Sequence, residues 1–148
     1  MRAFAVSLVA LIAATSAGAA PSRAKVQLHT TSVGVALADA HGRALFVRSL
    51  DSRTSTCYGA CATAWPPFLT TAKPLAGAGV TQSLLGTAKR KDGRLQVTYA
   101  GRPLYYHDLD VKPGTITGQG AASTWWLIGS SGKKITRLPN GGYIGTTT

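Results

Sequence analysis

A small, mainly β domain, made of two tandem copies of a β-hairpin-plus-loop unit, is the fold that this sequence predicts on three observations. Glycine and proline punctuate the chain at short intervals, with 17 and 7 residues respectively. No apolar 3.6-residue period persists long enough for a substantial helix, so short strands are the expected elements. Second, Gly42-Arg43-Ala44-Leu45-Phe46, ending at Asp51, returns fifty-nine residues later as Gly101-Arg102-Pro103-Leu104-Tyr105, ending at Asp110. The match continues through Gly59 and Gly118 to Trp65 and Trp125, the last after a one-residue insertion. Two units of one kind bury their apolar faces on each other, so the duplication predicts one shared core. Third, residues 20–148 have the length of a single domain.

Residues 1–19 read as a cleaved secretory signal. Met1-Arg2 is the positive start, Ala3 to Ala14 the apolar run, and Ala17-Gly18-Ala19 the small-x-small site. The run is shorter than the roughly 20 apolar residues of a permanent span. Cleavage before Ala20 keeps Pro21 away from the scissile bond, and no cysteine near the site offers a point for lipid attachment. A soluble periplasmic or extracellular protein is expected.

An N-terminal segment, 20–32, leads into repeat 1, residues 33–69. There Val33, Val35 and Leu37 alternate with Gly34, Ala36 and Ala38, and the turn Ala40-His41-Gly42 passes to Arg43–Arg48, which predicts a hairpin. Tyr58 to Ala64 is the one helical candidate, stopped by Pro66-Pro67, because proline cannot continue a helix and displaces the residue before it from the α region. Residues 70–81, rich in Thr, Ala, Gly and Pro, form the expected linker. Repeat 2, residues 82–138, opens with a strand over Leu84–Arg90 and the turn Lys91-Asp92-Gly93, whose Asp-Gly suits positive φ. Leu95, Val97 and Tyr99 then share one face and Arg94, Gln96 and Thr98 the other. Ala100-Gly101 turns into Leu104–His107, and Trp125–Ile128 and Lys134–Leu138 are further strand candidates. Residues 139–148 are a Gly- and Thr-rich tail, expected to be loosely held.

The formal charge is +11 at pH 7, and all five acidic residues are aspartates. Such an excess favours anionic partners, here an envelope or extracellular polymer, since export rules out intracellular nucleic acid. The cations cluster at Lys89-Arg90-Lys91 with Arg94, around the Asp-Gly turn, and at Lys133-Lys134 with Arg137. If the first cluster flanks an exposed turn, it is the candidate polyanion site. Neither cluster is interleaved with the stacking aromatics of single-strand binders.

Cys57 and Cys61 are the only cysteines. In an oxidising compartment such neighbours form a disulfide that fixes the turn ahead of Trp65. The alternative is a redox pair or a copper(I) site, a soft ion that favours thiolates, with His107 as third ligand. Their spacing is neither that of a thioredoxin-like site nor that of haem attachment. His29 and His41 are scattered. The chain carries no Gly-x-Ser-x-Gly motif, and Asp51 and Asp110, in equivalent positions, are expected to accept backbone hydrogen bonds in the loops that follow each strand. A binding role is therefore expected over a catalytic one, with no cofactor unless copper.

Leu104-Tyr105-Tyr106-His107-Asp108-Leu109-Asp110, preceded by Gln96-Val97-Thr98-Tyr99-Ala100-Gly101-Arg102-Pro103 and followed by Lys112-Pro113-Gly114 and Gly118-Gln119-Gly120, resembles the bacterial "secreted repeat of unknown function" family. These are predicted lipoproteins with a Tyr-x-(Phe/Trp/Tyr)-x-x-Asp motif. Repeat 1 resembles it through Leu45-Phe46 to Asp51, then Cys57-Tyr58-Gly59-Ala60-Cys61 and Trp65-Pro66-Pro67, so the likeness runs from Val33 to Ile128. Phe46 stands where the motif has its first tyrosine, Arg48 and His107 where it has its second aromatic residue, and the lipid-accepting cysteine is missing. The resemblance implies an envelope or extracellular location and a tandem repeat whose motif residues here are Phe46, Asp51, Trp65, Tyr105, His107, Asp110 and Trp125. It implies no particular activity.

Overall fold

The computed structural model describes residues 22–143. The expected signal, residues 1–19, with its cleavage before Ala20, lies outside the described residues, as do residues 144–148 of the expected tail. In chain order the elements are β1 (Lys25–Thr31), β2 (Gly34–Asp39), β3 (Phe46–Arg48), α1 (Ala60–Ala64), β4 (Leu69–Thr70), β5 (Leu75–Ala76), β6 (Leu85–Lys89), β7 (Leu95–Tyr99), β8 (Arg102–Pro103) and β9 (Trp125–Leu127). The protein is mainly β, as the punctuation of the sequence predicts. Its strands form three small sheets: β2-β1-β5, β3-β9, and β4-β7-β6 with β8 on β7.

The β6–β7 hairpin forms where the sequence places it. Gly93 has φ +85 and the turn closes with Gly93 N donating to Arg90 O at 2.9 Å. Ala100 and Gly101 both take positive φ, 49 and 75, so that β7 and β8 meet through a two-residue turn of the kind whose twist suits a hairpin. Pro66-Pro67 follows α1 closely, although the helix begins at Ala60 instead of Tyr58.

Elsewhere the pairing is less local than expected. Segment 20–32 is not a bare lead-in, because β1 lies within it and pairs antiparallel with β2 from Val26↔Asp39 to Thr31↔Gly34. Only the turn end of the predicted Val33–Arg48 hairpin forms, with Asp39 N donating to Arg43 O and Leu45 N to Leu37 O, at 2.9 and 3.1 Å. Beyond it β3 departs to pair with β9, Phe46↔Leu127 to Arg48↔Trp125. Residues 70–81 are likewise no free linker. They carry β5, which pairs parallel with β1, and the Gln82 side chain clamps them by donating to Pro74 O at 3.0 Å and accepting from Ala76 N at 2.9 Å. Residues 134–138 supply an isolated bridge, Ile128↔Lys134, in place of a strand. Residues 137 and 138 also hold the start of the expected tail, since Arg137 bridges Tyr143 and Leu138 N donates to Gly142 O at 2.8 Å.

Burial explains why β3 needs a distant partner. Phe46 and Val47 are both fully buried, on opposite faces of a strand. Val47 and Trp126 pack into one apolar cluster with Val26, Leu37, Leu45, Val97, Tyr99, Leu104 and Ile128. Phe46, Trp125 and Leu127 enter a second, with Cys57, Trp65, Tyr105 and Ile116. The β3–β9 pair thus lies between two apolar clusters, where each large side chain taken from water contributes about 1.5–3 kcal/mol. Buried strand β7 departs from the expected alternation, since Gln96 and Thr98 are 0% and 6% exposed, alongside Val97 and Tyr99. Gln96 is satisfied inside, donating to Leu104 O and accepting from Arg90, both at 2.7 Å.

Several backbone hydrogen bonds recur at positions fifty-nine or sixty residues apart. Leu37 N donates to Ile128 O, and Val97 N to Phe68 O, at 2.9 and 2.8 Å. Ser49 N donates to Thr124 O, and Asp108 N to Ala64 O, at 2.8 and 3.0 Å. Phe46 and Tyr105 exchange both backbone bonds with each other, at 2.8 and 2.9 Å.

Candidate functional site

The motif residues meet in the second apolar cluster. Trp65 packs between Trp125 and His107, the imidazole centroid 4.5 Å from its ring, while Phe46 meets Trp65 edge-on at 5.4 Å and Tyr105 meets Trp125 edge-on at 5.1 Å. Gly118 closes the wall. A Cβ there would lie 2.6 Å from Trp65 Cη2 and 2.9 Å from His107 Cγ, so no side chain fits.

Each motif aspartate holds the loop that follows it. Asp51 accepts from Thr56 N at 2.9 Å and Thr56 Oγ1 at 2.6 Å, and also accepts the hydroxyl hydrogen bond of Tyr105. Asp110, fully buried, accepts from Thr117 N and Gly118 N, each at 2.9 Å, and from Thr117 Oγ1 at 2.5 Å, with His107 Nδ1 at 3.2 Å. Asp39 performs a similar service for the Ala40-His41-Gly42 turn, accepting from His41 N and Arg43 N at 2.8 and 2.9 Å, and from the Tyr106 hydroxyl at 3.0 Å. Burial first, and then the facing carboxylate, push the phenols of Tyr105 and Tyr106 up from their ordinary range. These are anchoring contacts. They leave His107 with its Nε2 3.6 Å from Asp108 Oδ1 and, among the described residues, no hydroxyl or thiol on it beyond the Thr117 hydroxyl already given to Asp110.

Residues 86–128 match the family model described as "Secreted repeat of unknown function". That stretch runs from β6 to just past β9 and takes in Tyr105, His107, Asp110, Gly118 and Trp125. The matched segment is therefore the part of the chain that carries the second motif, in agreement with the resemblance drawn from its residues. No curated protein and no solved structure matches the chain. Among the described residues, no helix is long and apolar enough to cross a membrane.

Cys57 and Cys61 are joined in a disulfide across the start of α1, with Cα atoms 5.3 Å apart. Ser55, Cys57 O and Gln96 Oε1 surround the guanidinium of Arg90. Arg90 Nη1 donates to Ser55 Oγ at 3.0 Å and to Gln96 Oε1 at 2.7 Å, and Nη2 donates to Cys57 O at 2.8 Å. The guanidinium also stacks 4.3 Å from the Tyr58 ring centroid. Through Ser55 Oγ, 2.6 Å from the Tyr105 hydroxyl, this charge is linked to Asp51.

That placement changes the expected cationic hairpin tip. Arg90 is only 4% exposed and does not project, because its neighbours in the fold need its donors more than solvent does. Arg94 is exposed but pairs with Asp92 at 2.7 Å, and the hydrogen bonds from Arg94 hold the Asp92 carboxyl below its usual range. Lys91 leans on Tyr58, its Nζ 4.9 Å from the ring, and Lys89 is exposed. Lys89 and Lys91 remain as the unpaired charge of the tip.

A second cationic surface escaped the sequence reading, because its residues are far apart in the chain. An open cleft of about 670 Å³ is lined by Ser49, Asp51, Ser52, Arg53, Ser83, Arg102 and Lys134, among others. Arg102 and Arg43 occupy equivalent positions in the two Gly-Arg stretches of the sequence, yet differ in use. Arg43 donates to Asp110 O at 3.0 Å and His107 O at 2.9 Å, held by the ring of Tyr106 at 4.2 Å. The residue in Tyr106's equivalent place is Val47, which is buried and has no ring to offer. The repeated Gly-Arg dipeptide was the signal that would have singled out Arg102.

Proposed function

We propose that the protein is a non-catalytic, exported binding module for anionic components of the cell envelope or surface. The observation that carries this reading is where the acidic groups go. Asp39, Asp51 and Asp110 are spent on the loops that they anchor, so Asp92 and Asp108 are the aspartates left exposed. Lysines and arginines stay outside along much of the chain, among them Arg23, Lys25, Arg53, Lys73, Lys89, Lys91, Lys112, Lys133, Lys134 and Arg137. Exposed cations thus far outnumber exposed carboxylates, and a field of one sign attracts polyanions. The tip at Lys89 and Lys91, with Arg94 partly offset by Asp92, is the projecting part of that field. Two copies of one unit, meeting at Phe46 and Tyr105, form the scaffold in this reading, and the recurring hydrogen bonds support it.

The test is binding of the mature protein to anionic vesicles or an anionic surface polymer over a salt series. Affinity should fall steeply as ionic strength rises, since exposed charges are screened beyond about 8 Å at 0.15 M. Lys89→Glu with Lys91→Glu should weaken it while the fold persists, because such exposed substitutions change stability by no more than about 0.5 kcal/mol. Binding that ignores both salt and charge reversal sinks the reading. Copper retained through dialysis and lost in Cys57→Ser would instead favour the redox or copper-handling alternative, which requires the Cys57–Cys61 bridge to open.

A further inference from the structure

We propose that the cleft beside Arg102 is a specific binding site for a phosphate monoester carried on a polyol. The proposal rests on the anion-binding reading above and narrows it to one ligand chemistry at one place. Arg53, Arg102 and Lys134 come to the cleft from three separate segments, the loop after β3, the start of β8 and the chain beyond β9. Among the described residues, neither Arg53 nor Arg102 makes a hydrogen bond or ion pair, and Arg102 is half-buried while doing so. A half-buried guanidinium whose five donors are unused, in a cleft large enough for a small ligand, is a recognition group without its acceptor.

Charge and donors together select the ligand. Asp51 contributes the one carboxylate on the wall, and it is already engaged by Thr56 and Tyr105. Three cations against that single aspartate leave two positive charges, which one carboxylate would not neutralise. A phosphate monoester carries about −1.5 to −2 at neutral pH and offers three acceptor oxygens to forked guanidinium donors. Ser49, Ser52 and Ser83 line the same space and supply hydroxyls that suit the oxygens of a polyol. Lys134 Nζ lies 3.3 Å from Ser49 Oγ, so a cation and a hydroxyl are already adjacent there.

The difference between the repeats accounts for the opening. Where Arg43 is held on Tyr106 and spends its donors on the carbonyls of the 107–110 loop, Arg102 has Val47 in the ring's place and leaves the corresponding loop, 48–51, uncovered. One repeat closes on itself and the other presents a cationic recess.

Calorimetric titration of the mature protein with glycerol 3-phosphate tests this, with glycerol and inorganic phosphate as companions. Saturable binding of one equivalent is expected, with glycerol giving none. Arg102→Gln and Lys134→Gln should each weaken it about tenfold, as loss of a charge-assisted contact does, while Lys89→Glu with Lys91→Glu leaves it unchanged. Lys134 is exposed, so that variant folds even if Arg102→Gln does not. Displacement of glycerol 3-phosphate by vesicles containing phosphatidic acid would assign the ester to a lipid headgroup, and indifference to them to a soluble or polymer-borne ester. Absence of saturable binding, or equal loss in the Lys89 and Lys91 variants, overturns the cleft. If salt-sensitive polymer binding through Lys89 and Lys91 survives that result, the wider anion-binding reading stands without it. If neither ligand binds, both fall.

Discussion

Trp65 and Trp125 lie face to face, their ring centroids 4.0 Å apart and their planes 2° from parallel. They follow Asp51 and Asp110 at nearly the same distance in the chain, so each motif delivers one ring to a single stack. Trp125→Ala should lower the unfolding free energy by about 3–5 kcal/mol, in the range for a buried tryptophan. Trp125→Phe, which keeps a ring on Trp65, should lose clearly less. Urea unfolding followed by circular dichroism gives both values, and equal losses would deny the stack its part.

Gly118→Ala places a methyl group within 2.6 Å of Trp65 and 2.9 Å of His107. A destabilisation of about 1–3 kcal/mol is expected, as for overpacking in a closed interior. Trp65→Phe in the same chain should recover part of it by making room. A shift in thermal midpoint for the single variant, reversed in the double, is the measurement.

Arg90→Met should cost roughly 1–3 kcal/mol for each internal acceptor left without a donor, chiefly Cys57 O and Gln96 Oε1. Polymer binding by whatever folded fraction remains should match the parent. A variant that kept its stability and lost polymer binding would return Arg90 to the surface role that the sequence suggested.

Stability should fall as the pH rises past about 10, the ordinary tyrosine value. Tyr105 and Tyr106 hold their protons in the folded protein beyond the point at which the unfolded chain gives them up, so the folded state binds more protons there and unfolding becomes easier with pH. Tyr106→Phe should flatten the alkaline decline. Urea midpoints across that range would show it, and an unchanged slope would place the cause elsewhere.

The β6–β7 hairpin was legible because its information is local: an Asp-Gly turn between two short apolar runs names both strands. Strand β1 was not, since Val26 and Leu28 alternate with Lys25, Gln27 and His29 in a run too polar to stand out, and the partners β2 and β5 settle its state. The partner of β3 could not be read locally at all, as Trp125–Leu127 lies far along the chain. At the candidate site the sequence located the motif residues and the paired cysteines but misjudged Arg90. Lys89, Arg90 and Lys91 look alike in a charge run, whereas the strand's two-residue alternation turns Arg90 inward to Ser55 and Gln96. Arg102 does not stand out as a ligand group in the sequence, because its distinction from Arg43 lies in the ring that holds Arg43, that of Tyr106, where the equivalent position carries Val47.

The pairing of β3 with β9 also sets a clock on biogenesis. Phe46–Arg48 leaves the ribosome long before Trp125–Leu127, and at about 5–20 residues per second the interval lasts on the order of several seconds. Throughout that time a strand destined for burial on both faces has an open edge and no sheet to join, the condition in which chains stick to one another. A prematurely terminated product that lacks residues 125–127 would leave that edge open for good, an aggregation hazard instead of a smaller working protein.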